Sequence, residues 1–211
     1  KGIRIKTSKR LTNFSKIYMK RSTNLVIISG PSGAGEDSII EGMRDRGIPI
    51  ERVVTSITRP MRKGEVQGKA YYYISHEEFQ ILEDNNDLVE KAIVYGDNRG
   101  VTKKELERVQ AQKDKVGIWK IDFKGLITAK KVFPDILSIF ISADLDDLIN
   151  RLKKRGDDEK TIKERTEYTK EYLSHADEYD YTVVNAEGKL NEAIDKTIEI
   201  LKKEGLVDNI E

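Results

Sequence analysis

A glycine-rich stretch links an apolar run to a helix-like segment in NLVIISGPSGAGEDSII, residues 24–40. Gly30 and Gly35 have the spacing of the phosphate-binding pattern G-x-x-x-x-G-K-[ST]. A turn of this kind exposes backbone N–H groups at the start of a helix, where these donors and the helix dipole attract phosphate. The spacing therefore predicts a loop that holds the phosphates of a nucleotide. Its contact residues would be Gly30, Ser32, Gly33, Ala34, Gly35, Glu36, Asp37 and Ser38.

The charges of this loop differ from the pattern. Glu36 stands where the pattern has lysine, and Asp37 stands where it has serine or threonine. The loop lysine normally neutralises the β- and γ-phosphates, so we expect Glu36 to repel them and to impair turnover. A carboxylate is, however, a good oxygen ligand for Mg²⁺. Asp37 and Ser38 are therefore candidates to bind the Mg²⁺ that accompanies a nucleotide.

Composition narrows the class of protein. The chain has 211 residues, of which 36% are charged, and a net charge of +1, so no overall positive field points to nucleic acid. It has no cysteine and only two histidines, which argues against disulfides and against cysteine or histidine metal clusters. No apolar run approaches about 18 residues, so no membrane span is predicted. We expect a soluble cytoplasmic protein.

The first 23 residues have a composition of their own, with eight lysines and arginines and no acidic residue. They could form a basic or targeting arm. They could also be upstream sequence before a start at Met19, because the first predicted strand begins soon afterwards. We favour a disordered basic leader at 1–23, followed by one domain over 24–211.

Strands alternate with helices along that domain. Apolar, β-prone runs predict strands at 24–29, 51–56, 70–75, 87–96, 116–122, 135–143 and 180–186. Helical spacing predicts helices at 37–47, 75–85, 102–113, 144–156, 159–176 and 189–205, with a short one from 124. This alternation predicts an α/β fold with a parallel sheet covered by helices on both faces, and a β-rich insertion at about 52–95.

A second motif lies in TSITRPMRKGEVQGKAYYYISHEEF, residues 55–79, where Arg59 and Arg62 flank a proline turn and Tyr71 follows. Together with the loop, its string T-R-x-x-R-x-G-E-V-x-G-x-x-Y resembles the guanylate kinase family over about residues 24–203. The resemblance implies a P-loop NTPase-type core, a GMP-binding arm in the insertion and a helical lid at about 144–170. It also implies transfer of the γ-phosphoryl group of ATP to GMP with Mg²⁺.

The resemblance assigns a clamp for the GMP phosphate to Arg59, Arg62 and Tyr71. Guanidinium forks suit phosphate, and a phenol adds a hydrogen bond. Thr55 and Ser56 match small hydroxyl positions near this clamp.

The resemblance also assigns the base-binding and lid positions. Glu90 matches an acid that reads the guanine N–H edge, and Asp122 matches a second acid after the central strand. Asn185 matches a position near the ATP base. The catalytic arginines implied are Arg59, Arg151, Arg155 and Arg165, which would neutralise the transferred phosphoryl group.

Three further positions depart from the family pattern. In the turn expected at GDNRGV, 96–101, Arg99 replaces a tyrosine and Val101 replaces a hydroxyl that helps to read guanine. Lys120 replaces the first acid of a D-x-D sequence. We expect Lys120 to lie within reach of Glu36 and to supply positive charge near the phosphates.

Three functions stay open. The first is a GMP kinase that binds ATP and GMP, with neither nucleic acid nor membrane as a partner. The second is a non-enzymatic module that keeps the phosphate clamp and binds phosphorylated protein segments, which GMP binding without ATP binding would reveal. The third is a kinase with another phosphorylated substrate, since GAGEDS is similar to the G-x-G-K-D-S loop of ribose-bisphosphate phosphokinases. A substrate panel tests the third.

Overall fold

The computed structural model describes residues 21–208, so most of the predicted basic leader lies outside the described residues. The last residues of this predicted leader, from Arg21 onward, are described and contact the folded domain. Arg21 donates to the backbone carbonyl of Asp135 and pairs with Glu204. The backbone N–H and hydroxyl of Ser22 donate to the carboxylate of Asp135 at 2.7 and 2.6 Å.

Strands and helices alternate through the described residues. The strands are β1 (Leu25–Ser29), β2 (Ile50–Arg52), β3 (Thr55–Ile57), β4 (Tyr71–Tyr73), β5 (Leu88–Val94), β6 (Asp97–Thr102), β7 (Val116–Lys120), β8 (Leu137–Ser142) and β9 (Tyr181–Val184). The helices are α1 (Glu36–Asp45), α2 (His76–Asp84), α3 (Lys103–Gln110), α4 (Phe123–Val132), α5 (Leu145–Lys154), α6 (Glu159–Leu173) and α7 (Leu190–Lys203).

The central sheet is fully parallel, with the strand order β2-β7-β1-β8-β9. All five residues of β1 are buried, and the four apolar ones alternate between two hydrophobic clusters. Val26 and Ile28 pack with α1 and α7 on one face, whereas Leu25 and Ile27 pack with α3, α4 and α6 on the other. The predicted α/β fold, with helices on both faces of a parallel sheet, is confirmed.

A second sheet has the strand order β4-β3-β6-β5 and forms the arm. The prediction of one strand at 51–56 was wrong, because β2 belongs to the central sheet and β3 to the arm. Between them the backbone N–H of Val53 still binds the carbonyl of Ile118 at 2.9 Å, and the N–H of Val54 then turns to the carboxylate of Glu105. The chain therefore changes sheets within two residues.

The turn predicted at 96–101 is instead strand β6, which lies between β3 and β5. The turn itself is at Tyr95 and Gly96, with φ angles of 55° and 83°. A tight hairpin with positive φ at both central residues matches the twist of the strands that it connects. The polar sequence of β6 concealed this strand, and the arm sheet continues to Thr102.

Local signals elsewhere are confirmed. The helix predicted at 75–85 is present as α2. It begins with a capping box, because the hydroxyl of Ser75 accepts from the N–H of Glu78 and the carboxylate of Glu78 accepts from the N–H of Ser75. No helix in the described part of the chain is long and apolar enough to cross a membrane. The cytoplasmic location stays a prediction.

Gly42 lets α1 pack closely on α7. A Cβ atom at this position would overlap the Cδ1 methyl of Ile194 and lie 3.0 Å from its Cγ1. We therefore expect Gly42→Ala to lower the free energy of unfolding by about 1–3 kcal/mol. This loss occurs although alanine favours a helix by roughly 1 kcal/mol over glycine.

Ile194→Val removes the overlapping methyl, so Gly42→Ala should cost much less in that background. Urea unfolding of the wild type, both single variants and the double variant measures this coupling. An equal cost of Gly42→Ala in both backgrounds would contradict the packing explanation.

Candidate functional site

A cleft of about 600 Å³ opens between the carboxyl ends of the central strands, the arm sheet and helices α5 and α6. Most of the predicted site residues line it: Gly30, Ser32, Gly33, Gly35, Glu36, Asp37, Ser38, Thr55, Arg59, Arg62, Tyr71, Glu90, Asp122, Arg151, Arg155, Arg165 and Asn185. The segments that carry them are far apart in sequence, so the fold assembles the site.

Two predicted contacts lie outside the cleft lining and are corrected. Ala34 is fully buried in the core beside α1, and its backbone serves the loop: its N–H donates to the carbonyl of Pro31 and its carbonyl accepts from the side chain of Asn185. Ser56 is buried on the opposite face of β3 from Thr55, because successive residues of a strand point to opposite faces.

The phosphate loop has a backbone that requires glycine. Gly33 and Gly35 have φ angles of 93° and 94°, in the left-handed region. Gly30 packs so closely that an added Cβ would lie 2.5 Å from the carbonyl oxygen of Ile141. Helix α1 follows directly, and its N-cap Gly35 offers no capping side chain. The backbone N–H groups of Gly35 and Glu36 hydrogen-bond the carboxyl group of Glu36, the first residue of the helix. An anion at this N-terminus would take the place of that carboxyl group.

Asp37 lies between two cations. Its Oδ1 accepts from Arg52 at 2.6 Å, and its Oδ2 accepts from the ammonium of Lys120 at 2.6 Å. Burial acts to raise the pKa of Asp37, but the charges and hydrogen bonds of Lys120 and Arg52 outweigh burial and lower the pKa to about 2. Asp37 is therefore a stable carboxylate.

Glu36 is almost fully buried, with 8% of its surface exposed. Burial raises the pKa of Glu36, and the positive charge of Lys120 opposes this rise. Burial acts to lower the pKa of Lys120. The negative charge of Glu36 opposes this effect most strongly and Asp37 adds to it, so the pKa of Lys120 is raised overall. Lys120 therefore lies within electrostatic reach of Glu36, as expected from the sequence.

Glu90 presents an unsatisfied carboxyl group to the cleft. It is 3% exposed, and its Oε2 is buried without a hydrogen-bond partner. Burial, followed by the negative charge of Asp122, raises the pKa of Glu90 to about 8, although Arg99 opposes the rise. A buried acceptor without a partner is costly, so this oxygen is suited to accept from a ligand.

Asp122, in contrast, already has partners for both oxygens. Its Oδ1 accepts from the N–H of Gly125 and caps α4, and its Oδ2 accepts from the hydroxyl of Tyr168, both at 2.9 Å. It therefore connects the end of β7 to α6. No motif in the sequence singled out Tyr168.

The arginine clamp includes an acid that we did not predict as a site residue. Glu65 binds the guanidinium of Arg59 through both oxygens, at 2.7 and 2.5 Å. Chiefly because of this bond, the pKa of Glu65 falls to about 2. The rings of Tyr71 and Tyr73 lie 5.6 and 5.3 Å from the Arg59 guanidinium carbon. The G-E-V sequence in the motif could have indicated this role of Glu65.

Two arginines of the predicted lid contact the phosphate loop. Arg151 donates to the carbonyl of Gly33 at 3.1 Å and to the carbonyl of Asn185 at 2.8 Å. Arg165 donates to the hydroxyl of Ser32 at 2.5 Å. Positive charge from α5 and α6 therefore reaches the place where nucleotide phosphates would lie.

The third lid arginine, Arg155, pairs with Asp157, whose carboxylate also lies 3.4 Å from Arg165. The sequence did not single out Asp157, because it is one of several charges in a polar segment. It holds both guanidinium groups at the edge of the cleft.

Comparisons with known proteins agree with this geometry. The sequence profile described as Guanylate kinase matches residues 22–204. The chain is 36% identical over 163 residues to the guanylate kinase of Carboxydothermus hydrogenoformans, covering 76% of this chain and 79% of that protein. It is 35% identical over 184 residues to the guanylate kinase of Clostridium tetani, covering 85% and 86%.

A longer relative and a solved structure are also similar. Guanylate kinase 2, chloroplastic/mitochondrial, of Oryza sativa subsp. japonica is 30% identical over 183 residues, which span 85% of this chain but 64% of that protein. The crystal structure of guanylate kinase from Anaplasma phagocytophilum superimposes with a TM-score of 0.68 at 28% identity, covering 87% of both chains.

The raised pKa of Glu90 predicts a pH-dependent stability. The folded protein keeps a proton on Glu90 up to pH about 8, whereas an ordinary glutamate releases it near 4.5. This stabilisation is complete below pH about 4.5 and is lost as the pH rises to about 8. As the pH rises across that range, we expect the wild type to lose a few kcal/mol of unfolding free energy that Glu90→Gln does not lose.

Urea unfolding of both proteins at several pH values between about 5 and 8 measures this difference. Glutamine keeps the shape of the side chain but does not titrate. A difference in stability that stays constant with pH would contradict the assigned pKa.

Proposed function

The chain belongs to the guanylate kinase family, whose members phosphorylate GMP to GDP with ATP, and we propose that it carries out this transfer in the cleft described above. The observation that carries the proposal is the continuity of that cleft. It joins the glycine-rich loop to the Arg59 clamp and to the unpartnered oxygen of Glu90. These are the groups that two nucleotides bound end to end would need.

At the GMP end, Glu90 reads the base. The guanine edge offers two adjacent N–H donors, and an ionised carboxylate accepts both. GMP binding therefore favours release of the proton that burial holds on Glu90. Arg59, Arg62 and Tyr71 bind the GMP phosphate, with Thr55 beside them. Glu65 fixes the orientation of Arg59. The remaining N–H donors of the Arg59 guanidinium are then directed at the GMP phosphate.

At the ATP end, the N–H groups at the start of α1 bind the β- and γ-phosphates, and Lys120 supplies the cation. The ammonium of Lys120 reaches the loop from the end of β7, where it is held on Asp37. A unit-charge pair at about 4 Å contributes roughly 4 kcal/mol at an effective dielectric of 20. The charge of Lys120 also acts on Glu36 and offsets the repulsion of phosphate by that carboxylate.

Mg²⁺ that enters with ATP fits the oxygen groups of the loop. Asp37 stays ionised at neutral pH because its pKa is about 2, and each carboxylate oxygen keeps a lone pair beyond its present hydrogen bond. Ser38 adds a hydroxyl in the cleft. Mg²⁺ is usually held by one or two protein oxygens together with phosphates, and it neutralises phosphate charge.

The transfer is an in-line displacement. An oxygen of the GMP phosphate forms a bond to the γ-phosphorus of ATP, and the bond from that phosphorus to the bridging oxygen of ADP breaks. Arg151 and Arg165 neutralise the transferred group from the lid side, and Arg155 joins them when it leaves Asp157. Positioning and electrostatics supply most of the catalysis in such reactions.

A non-enzymatic domain that binds GMP without ATP is the second candidate. It is favoured by Glu36, the acid at the position of the loop lysine. Titration of the chain with GMP alone and with ATP alone distinguishes the two functions. Binding of GMP without any binding of ATP would favour the second.

We expect Lys120→Met to lower kcat for transfer from ATP to GMP by roughly 10²–10³-fold, because one preorganised phosphate donor is lost. The KM for GMP should change less than kcat, since Arg59, Arg62 and Tyr71 are kept, although Tyr71 lies within electrostatic reach of Lys120. A coupled assay of GDP and ADP formation measures both constants.

Lys115→Met is the matched control, because Lys115 pairs with Glu51 outside the cleft. It should retain wild-type kcat. A Lys120→Met variant that is as fast as this control would exclude Lys120 as the phosphate cation, and a wild-type protein that forms no GDP would refute the kinase activity.

A further inference from the structure

Arg99 is a cation in the GMP end of the cleft without a partner. It lies in β6, lines the cleft and has a buried Nε that donates to no acceptor. Within residues 21–208, its side chain forms neither a hydrogen bond nor an ion pair. Leaving a buried donor unpaired is costly, so the position favours a ligand with a hydrogen-bond acceptor.

The strand register sets Arg99 beside Glu90. Arg99 is opposite Ala92 in the ladder between β6 and β5, and Ala92 is two residues from Glu90 on the same face. Such diagonal neighbours are within reach of a long side chain. The charge of Arg99 acts on Glu90 and opposes the rise of its pKa. The two groups therefore face one binding volume, an acceptor on one side and a donor on the other.

The other side chains of β6 cannot replace Arg99. Val101 lies opposite Glu90 in the ladder and cannot form a hydrogen bond through its side chain. The other β6 side chain that lines the cleft is Asp97, whose carboxylate only accepts. Arg59, which also lines the cleft, is held by Glu65, and its remaining donors are assigned to the GMP phosphate. Arg99 is thus the β6 donor in this part of the cleft.

A 6-oxopurine matches this pair of groups. Guanine presents N–H donors at N1 and N2 to a carboxylate, and beside them O6 and N7 are acceptors that fit a guanidinium fork. Adenine has an amine in place of O6, so a donor would face the donors of Arg99. Its N1 carries no hydrogen, so an acceptor would face the ionised carboxylate of Glu90. Leaving such groups unpaired is an effective way to reject an analogue.

We propose that Arg99 determines the base specificity of this chain by donating hydrogen bonds to O6 and N7 of guanine. This inference rests on the proposed GMP site, and it assigns to β6 a residue that reads the base. The competing role for Arg99 is a contact to the GMP phosphate. If Arg99 contacts the base, replacing O6 of the nucleotide removes the effect of Arg99 on binding. If it contacts the phosphate, replacing O6 leaves that effect unchanged.

The test compares GMP with 6-thio-GMP, which keeps the phosphate and both N–H donors and replaces only O6. Dissociation constants are measured by calorimetry without ATP, so that the phosphate loop does not contribute. We expect the wild type to bind GMP roughly 10–100-fold more tightly than 6-thio-GMP, as for one hydrogen bond to a charged group. Arg99→Met should weaken GMP binding by a similar factor and reduce the preference to near 1.

Lys91→Met is the control, because it removes a positive charge from the adjacent strand on the face turned away from the cleft. It should keep both the affinity and the preference. If Arg99→Met weakens both nucleotides equally, Arg99 contacts the phosphate and the inference is wrong. It is equally wrong if Arg99→Met changes neither constant.

The two proposals fail in different ways. A wild-type protein that binds neither nucleotide overturns the GMP site and the role of Arg99 together. A wild-type protein that binds GMP with the expected preference but forms no GDP overturns only the phosphoryl transfer.

Discussion

The interaction on which the site depends is the contact of the Lys120 ammonium with the acidic first turn of α1. The loop has the backbone that binds phosphate, but its first helical residues are Glu36 and Asp37, which would make that anion site negative. Lys120 binds Asp37 directly and lowers the pKa of Glu36 against the effect of burial. The parallel pairing of β1 with β7 brings this lysine to the loop, because Ile28 and Lys120 are partners in the ladder.

The same strand end connects the loop to the helices that cover it. The hydroxyl of Ser29, the last residue of β1, is 2.5 Å from the hydroxyl of Tyr172 and 2.8 Å from that of Tyr179, and it donates to the carbonyl of Ile121. These buried polar groups satisfy one another, as interior packing requires. The phosphate loop, the end of β7 and the lid helix α6 are thereby held in one arrangement, to which Arg165 adds a contact with Ser32.

The parts that could be predicted from sequence are those with a local physical cause. The spacing of the glycines predicted the loop, and the apolar runs predicted the buried strands. The clamp of Arg59, Arg62 and Tyr71 came from the resemblance to the family and stays a prediction. Strand β6 was not predicted, because its burial comes from tertiary pairing and not from apolar residues. The split between β2 and β3 also depends on pairing with Ile118. Asp157 could be identified only when the fold placed it against Arg155 and Arg165, whereas the G-E-V sequence of the motif could have indicated Glu65.

The most direct test of this account is whether the phosphate cation can be supplied from either side of the loop. Turnover of ATP and GMP would be measured for Lys120→Met alone and for Lys120→Met combined with Glu36→Lys, which moves the ammonium to the loop itself. The account predicts that the combined variant recovers to within about tenfold of the wild type, since the charge acts on the same phosphates. A combined variant as slow as Lys120→Met alone would contradict the claim that Lys120 replaces the loop lysine.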